Sequence, residues 1–222
     1  MPGVTPHLLS ALGGPVLPVV VVEDAAGAVP LARALVAGGL PAVEVTLRTP
    51  AALDAIRAIT AEVPGALVGA GTVVSARAVG EAVAAGARFL VSPGWTGGLL
   101  DAMEASGVPY LPGVSTASEV LALLERGVRE MKFFPAEAAG GSAYLAALAG
   151  PLPSARFCPT GGITPGSARG YLALPNVPCV GGTWVAPPAA LAAGDWARVE
   201  SLARGAAALA ARPGAVPGGA GR

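Results

Sequence analysis

The chain has 222 residues, a formal net charge of zero, and only 13% charged residues against 53% hydrophobic ones. Typical globular proteins carry about 25% charged residues, so the surface is expected to be sparsely charged. The sequence has no basic run, which argues against a nucleic-acid partner. The apolar run at residues 16–22 is too short for a signal peptide or a membrane span, so no membrane partner is expected.

Short apolar runs alternate along the chain with alanine-rich segments of helical period. The apolar runs predict eight strands, at residues 16–22, 42–47, 67–71, 88–91, 110–114, 130–134, 156–158 and 179–181. The segments between and after them predict helices at residues 26–37, 50–59, 76–85, 97–106, 117–126, 142–149, 165–172 and 196–211.

The eight strand–helix units follow one another without a linker. They predict an α/β fold, a single (β/α)8 TIM barrel over residues 1–211 that includes a short N-terminal segment. Residues 212–222 are rich in proline and glycine and are expected to form a disordered tail. A doubly wound open sheet is the alternative, and the lack of a Gly-x-Gly-x-x-Gly motif after the first strand disfavours it.

The second predicted strand alternates strictly between aliphatic and polar residues, with Glu44, Thr46 and Arg48 on one face. In a parallel barrel the aliphatic face packs on the helices, so Glu44 and Arg48 are expected to point towards the barrel mouth. Buried charges need a charged partner or a substrate. Pairing of Glu44 only with Arg48 is the alternative without a function.

Lys132 is the only lysine of the chain, beside 13 arginines, and it lies in an apolar run. By strand parity Lys132 and Phe134 face inward on the sixth strand. Burial disfavours the charged form of an amine, and a neutral amine can attack a ketone to form an imine. Glu44 would then move the protons, and Arg48 would bind a substrate carboxylate in a bidentate manner. A chance lysine that extends from the end of a strand to solvent is the alternative.

Two further features belong to the predicted strand ends. Thr72 follows the third strand and could donate to the same carboxylate, although Thr72 or Ser75 could equally cap the next helix. The pairs Gly161-Gly162 and Gly181-Gly182, each beside a threonine, suit backbone amides that approach a phosphate closely. Tight turns without a ligand would also explain these glycines.

The two cysteines, Cys158 and Cys179, both lie in apolar segments. This placement favours small buried thiols over a disulfide. A reducing compartment is therefore expected, and with it a cytoplasmic location.

Six ordered motifs closely resemble the bacterial class I 2-dehydro-3-deoxy-6-phosphogluconate (KDPG) and 4-hydroxy-2-oxoglutarate (KHG) aldolases. They are Glu44-Val-Thr-Leu-Arg-Thr49, Gly69-Ala-Gly-Thr-Val73, Ser92-Pro-Gly94, Pro112-Gly-Val-Ser-Thr116, Lys132-Phe-Phe-Pro-Ala-Glu137 and Phe157-Cys-Pro-Thr-Gly-Gly-Ile163. The resemblance covers residues 5–210.

The resemblance implies a lyase of the Entner-Doudoroff pathway that needs no metal or other cofactor and works as a homotrimer. Its small-molecule substrate would be a 2-oxo acid sugar phosphate, cleaved to pyruvate and glyceraldehyde 3-phosphate. The family also commonly cleaves 4-hydroxy-2-oxoglutarate to pyruvate and glyoxylate.

The resemblance also assigns roles to individual residues. Lys132 would form the Schiff base, and Glu44 would act as the acid and base. The pyruvyl part would contact Arg48, Thr72, Pro93, Phe134 and Thr160, where Thr160 matches the residue associated with the gluconate configuration. The phosphate would bind at Gly161, Gly162, Gly182 and Thr183.

Two observations qualify the resemblance. Thr183 stands where the family usually has serine, so a hydroxyl is kept and a methyl is added. The single His7 is far from every motif, and no histidine or cysteine cluster suggests a metal, which argues against a class II aldolase.

Three other functions stay open at this point. The first is cleavage of 2-dehydro-3-deoxy-6-phosphogalactonate. The second is a phosphosugar epimerase or isomerase on the same barrel, in which Glu44 is a base and no covalent bond forms. The third is a sugar-phosphate or oxo-acid binding protein without catalysis.

Overall fold

The computed structural model describes residues 8–209, in which parallel strands alternate with helices. His7 and the predicted tail at 212–222 lie outside the described residues. The strands are β1 (Val16–Val20), β2 (Ala42–Thr46), β3 (Leu67–Gly71), β4 (Leu90–Val91), β5 (Tyr110–Leu111), β6 (Gly113–Val114), β7 (Glu130–Phe133), β8 (Arg156–Pro159) and β9 (Val180–Gly182).

The helices lie between and around these strands. They are α1 (Leu8–Ala11), α2 (Ala28–Ala37), α3 (Ala52–Glu62), α4 (Ala76–Ala84), α5 (Gly97–Ala105), α6 (Ala117–Glu125), α7 (Gly141–Ala149), α8 (Pro165–Leu172), α9 (Pro188–Ala193) and α10 (Trp196–Ala207). A 3-10 turn, Ala25–Gly27, precedes α2. No helix in the described part of the chain is long and apolar enough to cross a membrane.

Hydroxyl side chains fix where several helices begin. Ser75, Thr96, Thr116 and Thr164 each accept a hydrogen bond from a backbone N–H in the first turn of α4, α5, α6 and α8, respectively. These helices therefore start directly after the loops that leave the carboxyl ends of the strands.

The strands form two parallel sheets, of order β5-β4-β3-β2-β1-β9 and β6-β7-β8. In the first sheet, Glu44 of β2 lies between Val19 of β1 and Gly69 of β3. In the second, Lys132 of β7 lies between Gly113 of β6 and Cys158 of β8. Because all pairs are parallel, the carboxyl ends of the strands point to the same side of the molecule.

Pro112 divides the predicted fifth strand, which was expected to be continuous over residues 110–114. The first half pairs with β4 and the second half with β7, while the Pro112 carbonyl accepts a hydrogen bond from the Lys132 N–H at 3.0 Å. Proline has no N–H of its own to continue a ladder. Beyond β8, an isolated parallel bridge joins Thr160 to Gly181. The result is a curled parallel sheet with interruptions at Pro112 and around Thr160.

Apolar side chains pack on both faces of the curled sheet. The larger core lies between strands and helices and contains Val43 and Val45, the aliphatic residues of β2. A smaller cluster includes Phe89 and Leu111 and is covered by Leu8 and Leu9 of α1. The predicted alternation in β2 is therefore confirmed, with its valines on the helix side.

The two cysteines belong to the smaller cluster. Cys158 and Cys179 are free and buried, which confirms the prediction of buried thiols. A side-chain hydrogen bond with Cys158, together with burial, raises the pKa of the Cys179 thiol well above its usual value. Both residues therefore act as small apolar side chains in the core.

Several predicted boundaries need correction. The first strand ends at Val20 instead of residue 22, and the fourth begins at Leu90 instead of residue 88. α9 was not predicted. It begins at Pro188, and proline is compatible with the first turn of a helix because the N–H there has no helical partner. α10 ends at Ala207, not at residue 211.

Candidate active site

A buried ion pair occupies the interior of the curled sheet. Nζ of Lys132 on β7 lies 3.1 Å from Oε1 of Glu44 on β2. Lys132 is 4% exposed and Glu44 is 1% exposed, so neither charge is solvated. The predicted proximity of the lone lysine and Glu44 is confirmed, and the alternative of a chance lysine extending to solvent is wrong.

Gly71, the last residue of β3, makes room for the Glu44 carboxylate. A Cβ atom at Gly71 would lie 2.1 Å from Oε1 of Glu44 and 2.7 Å from its Cδ. Oε2 of Glu44 is buried and has no hydrogen-bond partner within residues 8–209. One carboxylate oxygen thus faces Lys132, and the other makes no hydrogen bond to the described residues.

Phe134 covers the lysine on another side. Nζ of Lys132 lies 5.3 Å from the centre of the Phe134 ring. The ring is half-buried and lines the same pocket as the amine. An aromatic face next to the amine keeps its surroundings apolar on that side.

Arg48 is exposed at the pocket, and Nε of its guanidinium donates to Oγ1 of Thr72 at 3.0 Å. Glu44 pairs with Lys132, so the alternative in which Glu44 pairs only with Arg48 is wrong. The bond from Nε leaves the terminal guanidinium nitrogens available for a carboxylate.

Thr72 has a left-handed backbone, with φ of 57°. This conformation is unfavourable for a β-branched residue and is found mainly where the surroundings impose it. Ser75 caps α4, so the idea that Thr72 could be the cap is corrected. The Thr72 side chain is turned to Arg48 instead.

One pocket joins most of the predicted site residues. It is lined by Val19, Val21, Arg48, Lys132, Phe134, Thr160, Gly161, Gly162, Ile163, Gly181 and Thr183. Alternation along the first predicted strand could have identified Val19 and Val21. Ile163 ends the sixth motif, but no role was predicted for it.

Four predicted site residues lie behind the pocket wall or beside it. Glu44 accepts a hydrogen bond from Lys132, which lines the pocket. Thr72 accepts a hydrogen bond from Arg48, which also lines it. Pro93 follows β4, where its carbonyl occupies the space that a Cβ at Gly113 would need. Gly182 is buried in β9, and a Cβ atom at this position would lie 2.4 Å from the ring of Trp184.

The part of the pocket wall formed by residues 161, 162 and 181 is built from backbone. Gly161 and Gly162 have φ of 104° and 78°, values that favour glycine. A Cβ at Gly181 would lie 2.1 Å from Oγ1 of the buried Thr160. The loop after β8 and strand β9 thus need glycine at these positions. The exposed Thr183 hydroxyl adds a polar group to the pocket.

Together these groups suit an anionic ligand with a carbonyl. The pocket carries two basic side chains, Lys132 and Arg48, and the buried carboxylate of Glu44 is already paired with the amine. Within residues 8–209 no group of three or more His, Cys, Asp or Glu side chains could hold a metal ion.

Comparisons with known proteins agree with the motifs. The family model described as KDPG and KHG aldolase matches residues 10–202. The KHG/KDPG aldolase of Escherichia coli (strain K12) is 54% identical over 191 residues, which cover 86% of this chain and 90% of that protein.

Two solved structures share the fold. The KDPG aldolase of Legionella pneumophila, with pyruvate captured at low pH as a covalent carbinolamine intermediate, has a TM-score of 0.86 and 45% identity over 88% of this chain and 95% of its own. The 2-keto-3-deoxy-6-phosphogluconate aldolase of Zymomonas mobilis ZM4 with 3-phosphoglycerate has a TM-score of 0.87 and 48% identity over 93% and 97%, respectively. The resemblance seen in the motifs is thereby confirmed, and this chain belongs to the KDPG and KHG aldolase family.

Proposed function

We propose that this protein is a class I aldolase that cleaves 2-dehydro-3-deoxy-6-phosphogluconate to pyruvate and D-glyceraldehyde 3-phosphate. The observation that carries the proposal is the buried contact of 3.1 Å between Lys132 Nζ and Glu44 Oε1. A buried amine next to a carboxylate is the arrangement that imine chemistry needs. The family membership supports the same reaction.

Substrate binding would use the two walls of the pocket. Arg48 would hold the substrate carboxylate through its terminal nitrogens, since Nε is bonded to Thr72. Phe134 and Thr160 would border the pyruvyl carbons, and Pro93 would support this end from behind. The glycines at 161, 162 and 182 and the Thr183 hydroxyl would hold the phosphate.

The covalent steps begin with proton transfer from Lys132 to Glu44, which frees the amine lone pair. The amine attacks C2 of the substrate to give a carbinolamine. Glu44 then returns its proton to the carbinolamine hydroxyl, which leaves as water, so that an iminium forms and Glu44 is ionised again. A base, Glu44 directly or through a water, removes the proton of the C4 hydroxyl. The electrons of the C3–C4 bond then move into the iminium, so that an enamine forms and glyceraldehyde 3-phosphate leaves.

Release of pyruvate reverses the imine chemistry. Glu44 protonates the enamine at C3, and water attacks the resulting iminium to give back pyruvate and the free amine. Oε2 of Glu44, buried and without a hydrogen-bond partner in the described part of the chain, is the oxygen that can carry the proton. The same pyruvyl half is present in 4-hydroxy-2-oxoglutarate, so cleavage to pyruvate and glyoxylate belongs to the proposal.

The architecture proposed for this enzyme is a closed (β/α)8 barrel. Its support is that β5 and β6 are separated only by Pro112, and that Thr160 and Gly181 bridge the edges of β8 and β9. On the family resemblance we also propose a homotrimer and a cytoplasmic location. Light scattering of the purified protein tests the trimer, for which a monomer mass is the contrary result.

A coupled assay tests the proposed reaction. The protein is incubated with 2-dehydro-3-deoxy-6-phosphogluconate, its galactonate epimer or 4-hydroxy-2-oxoglutarate, and lactate dehydrogenase reports pyruvate. We expect pyruvate from the gluconate substrate and from 4-hydroxy-2-oxoglutarate, with the galactonate epimer slower because Thr160 matches the gluconate type. Epimerised or isomerised substrate without pyruvate would indicate non-covalent chemistry, and an unchanged substrate would indicate a binding protein.

A further inference from the structure

The loop after β7 supports the loop after β8 through the main chain. The N–H of Ala136 donates to the Thr160 carbonyl at 2.8 Å, and the N–H of Glu137 donates to the Gly161 carbonyl at 3.1 Å. The segment that follows Lys132 therefore sets the position of the glycines that line the pocket.

The side chain of Glu137 lies directly against Gly162. A Cβ at Gly162 would be 2.7 Å from Cγ and 2.8 Å from Cβ of Glu137. Gly162 also has a left-handed φ, which favours glycine. Any residue with a Cβ atom at this position would therefore displace Glu137.

A tyrosine of the core fixes the other end of Glu137. The hydroxyl of Tyr171 on α8 donates to Oε1 of Glu137 at 2.9 Å, and Tyr171 is 1% exposed. Burial, followed by the hydrogen bond and charge of Glu137, raises the pKa of Tyr171, so its hydroxyl remains a donor across the physiological range. Glu137 itself is exposed, and this bond restrains a side chain that would otherwise rotate freely.

We propose that Glu137 and Tyr171 are positioning residues that hold the Gly161–Gly162 loop in its phosphate-binding form and so determine the preference for phosphorylated substrates. The inference rests on the proposed function. Neither side chain lines the pocket in the described part of the chain. Their effect is therefore confined to the phosphate end, and imine formation at Lys132 does not depend on them.

The Tyr171→Phe variant removes only the hydroxyl. We expect the KM for 2-dehydro-3-deoxy-6-phosphogluconate to rise on the order of tenfold, the loss of one hydrogen bond to a charged group. The pyruvate concentration that gives half-maximal borohydride trapping should stay the same, since pyruvate has no phosphate. Glu137→Ala should match this pattern, whereas Glu137→Gln keeps a carbonyl acceptor and should retain most of the affinity.

The hydrogen-bonded pair Tyr110 and Glu104 provides a matched control. Tyr110 is also buried and donates to a glutamate, Glu104, at 3.3 Å, but neither residue lines the pocket. Tyr110→Phe should change neither the KM nor the trapping. The double variant Tyr171→Phe, Glu137→Ala should be no worse than either single variant, because both remove the same interaction.

Binding of inorganic phosphate, measured by calorimetry, separates this inference from the proposed reaction. Weaker phosphate binding in Tyr171→Phe with unchanged pyruvate trapping supports the inference. If the wild-type protein releases no pyruvate, weaker phosphate binding in this variant still supports it. Equal losses for phosphate and pyruvate, or no change in either, would overturn it. Absence of pyruvate release and of trapping in the wild-type protein would count against the proposed function alone.

Discussion

The two ends of the pocket, proposed to bind the pyruvyl part and the phosphate of the substrate, are built from different parts of the chain. At the pyruvyl end, charged side chains meet in a buried setting, where Lys132 and Glu44 are 3.1 Å apart. At the phosphate end, the wall is main chain, where Gly161 and Gly162 have left-handed backbones. In the proposed function, covalent chemistry depends on the identity of two side chains, whereas phosphate binding depends on the absence of side chains and on the contacts that support the loops.

The largest effect is expected at Lys132, the proposed nucleophile. Lys132→Arg keeps the positive charge next to Glu44 but removes the amine that forms the imine. We expect pyruvate release to fall by at least about 10³-fold, measured as kcat in the coupled assay. Substantial activity in this variant would point to a non-covalent epimerase or isomerase.

The next effect concerns the space for the carboxylate. Gly71→Ala places a Cβ 2.1 Å from Oε1 of Glu44, so the carboxylate has to move away from Lys132. We expect kcat to fall on the order of 10²-fold, the loss typical of a misplaced catalytic group.

A control for Gly71→Ala is available on α4. A Cβ at Gly80 would meet nothing within 4 Å, so Gly80→Ala should leave kcat unchanged and raise the thermal stability slightly. Equal kcat values for the two variants would show that Gly71 is not required for the position of Glu44.

A smaller effect is expected at the phosphate end. Thr183→Val keeps the shape of the side chain and removes the hydroxyl, so the KM for the phosphorylated substrate should rise on the order of tenfold. The KM for 4-hydroxy-2-oxoglutarate should not change. Thr183→Ser is the control that keeps the hydroxyl, and a similar loss there would assign the effect to the methyl group instead.

The smallest effect lies outside the pocket, at the start of α6. Oε2 of Glu119 accepts hydrogen bonds from the N–H groups of Ser115 and Thr116, both at 2.8 Å. Partial burial raises the pKa of Glu119, but these bonds outweigh it and the pKa is lowered from its ordinary value.

A lowered pKa means that the ionised form stabilises the fold above the ordinary pKa of glutamate, and that this contribution is lost as the pH falls through the lower value. Glu119→Gln should therefore reduce the free energy of unfolding by about 0.5 kcal/mol at neutral pH, with little effect on kcat. Denaturant unfolding at neutral and acidic pH checks this. A difference that grows in acid would contradict the assignment.

The sequence predicts the pyruvyl end better than the phosphate end, and for a physical reason. Strand parity places Glu44 and Lys132 on inward faces, and a buried charge needs a partner, so their meeting follows from local pattern. The left-handed Thr72 and the contact between Gly162 and Glu137 depend on backbone geometry and on residues distant in the chain. The periodicity of the sequence does not predict these features.

The fold shows the same contrast between features set by local sequence and features set by distant residues. The eight predicted apolar runs correspond to the parallel strands, because β-strand periodicity is a local signal. The division of one run at Pro112 has a local cause, because proline has no N–H to continue the ladder. Which strand pairs with each half depends on residues distant in the chain.

The most direct test of the account is reductive trapping with pyruvate and borohydride, followed by mass spectrometry of tryptic peptides. Lys132 is the only lysine, so apart from the N-terminal amine only one side chain can form the imine. The account predicts one stable pyruvate adduct at Lys132 and loss of tryptic cleavage after it. An active enzyme whose Lys132 remains unmodified under these conditions would contradict the account.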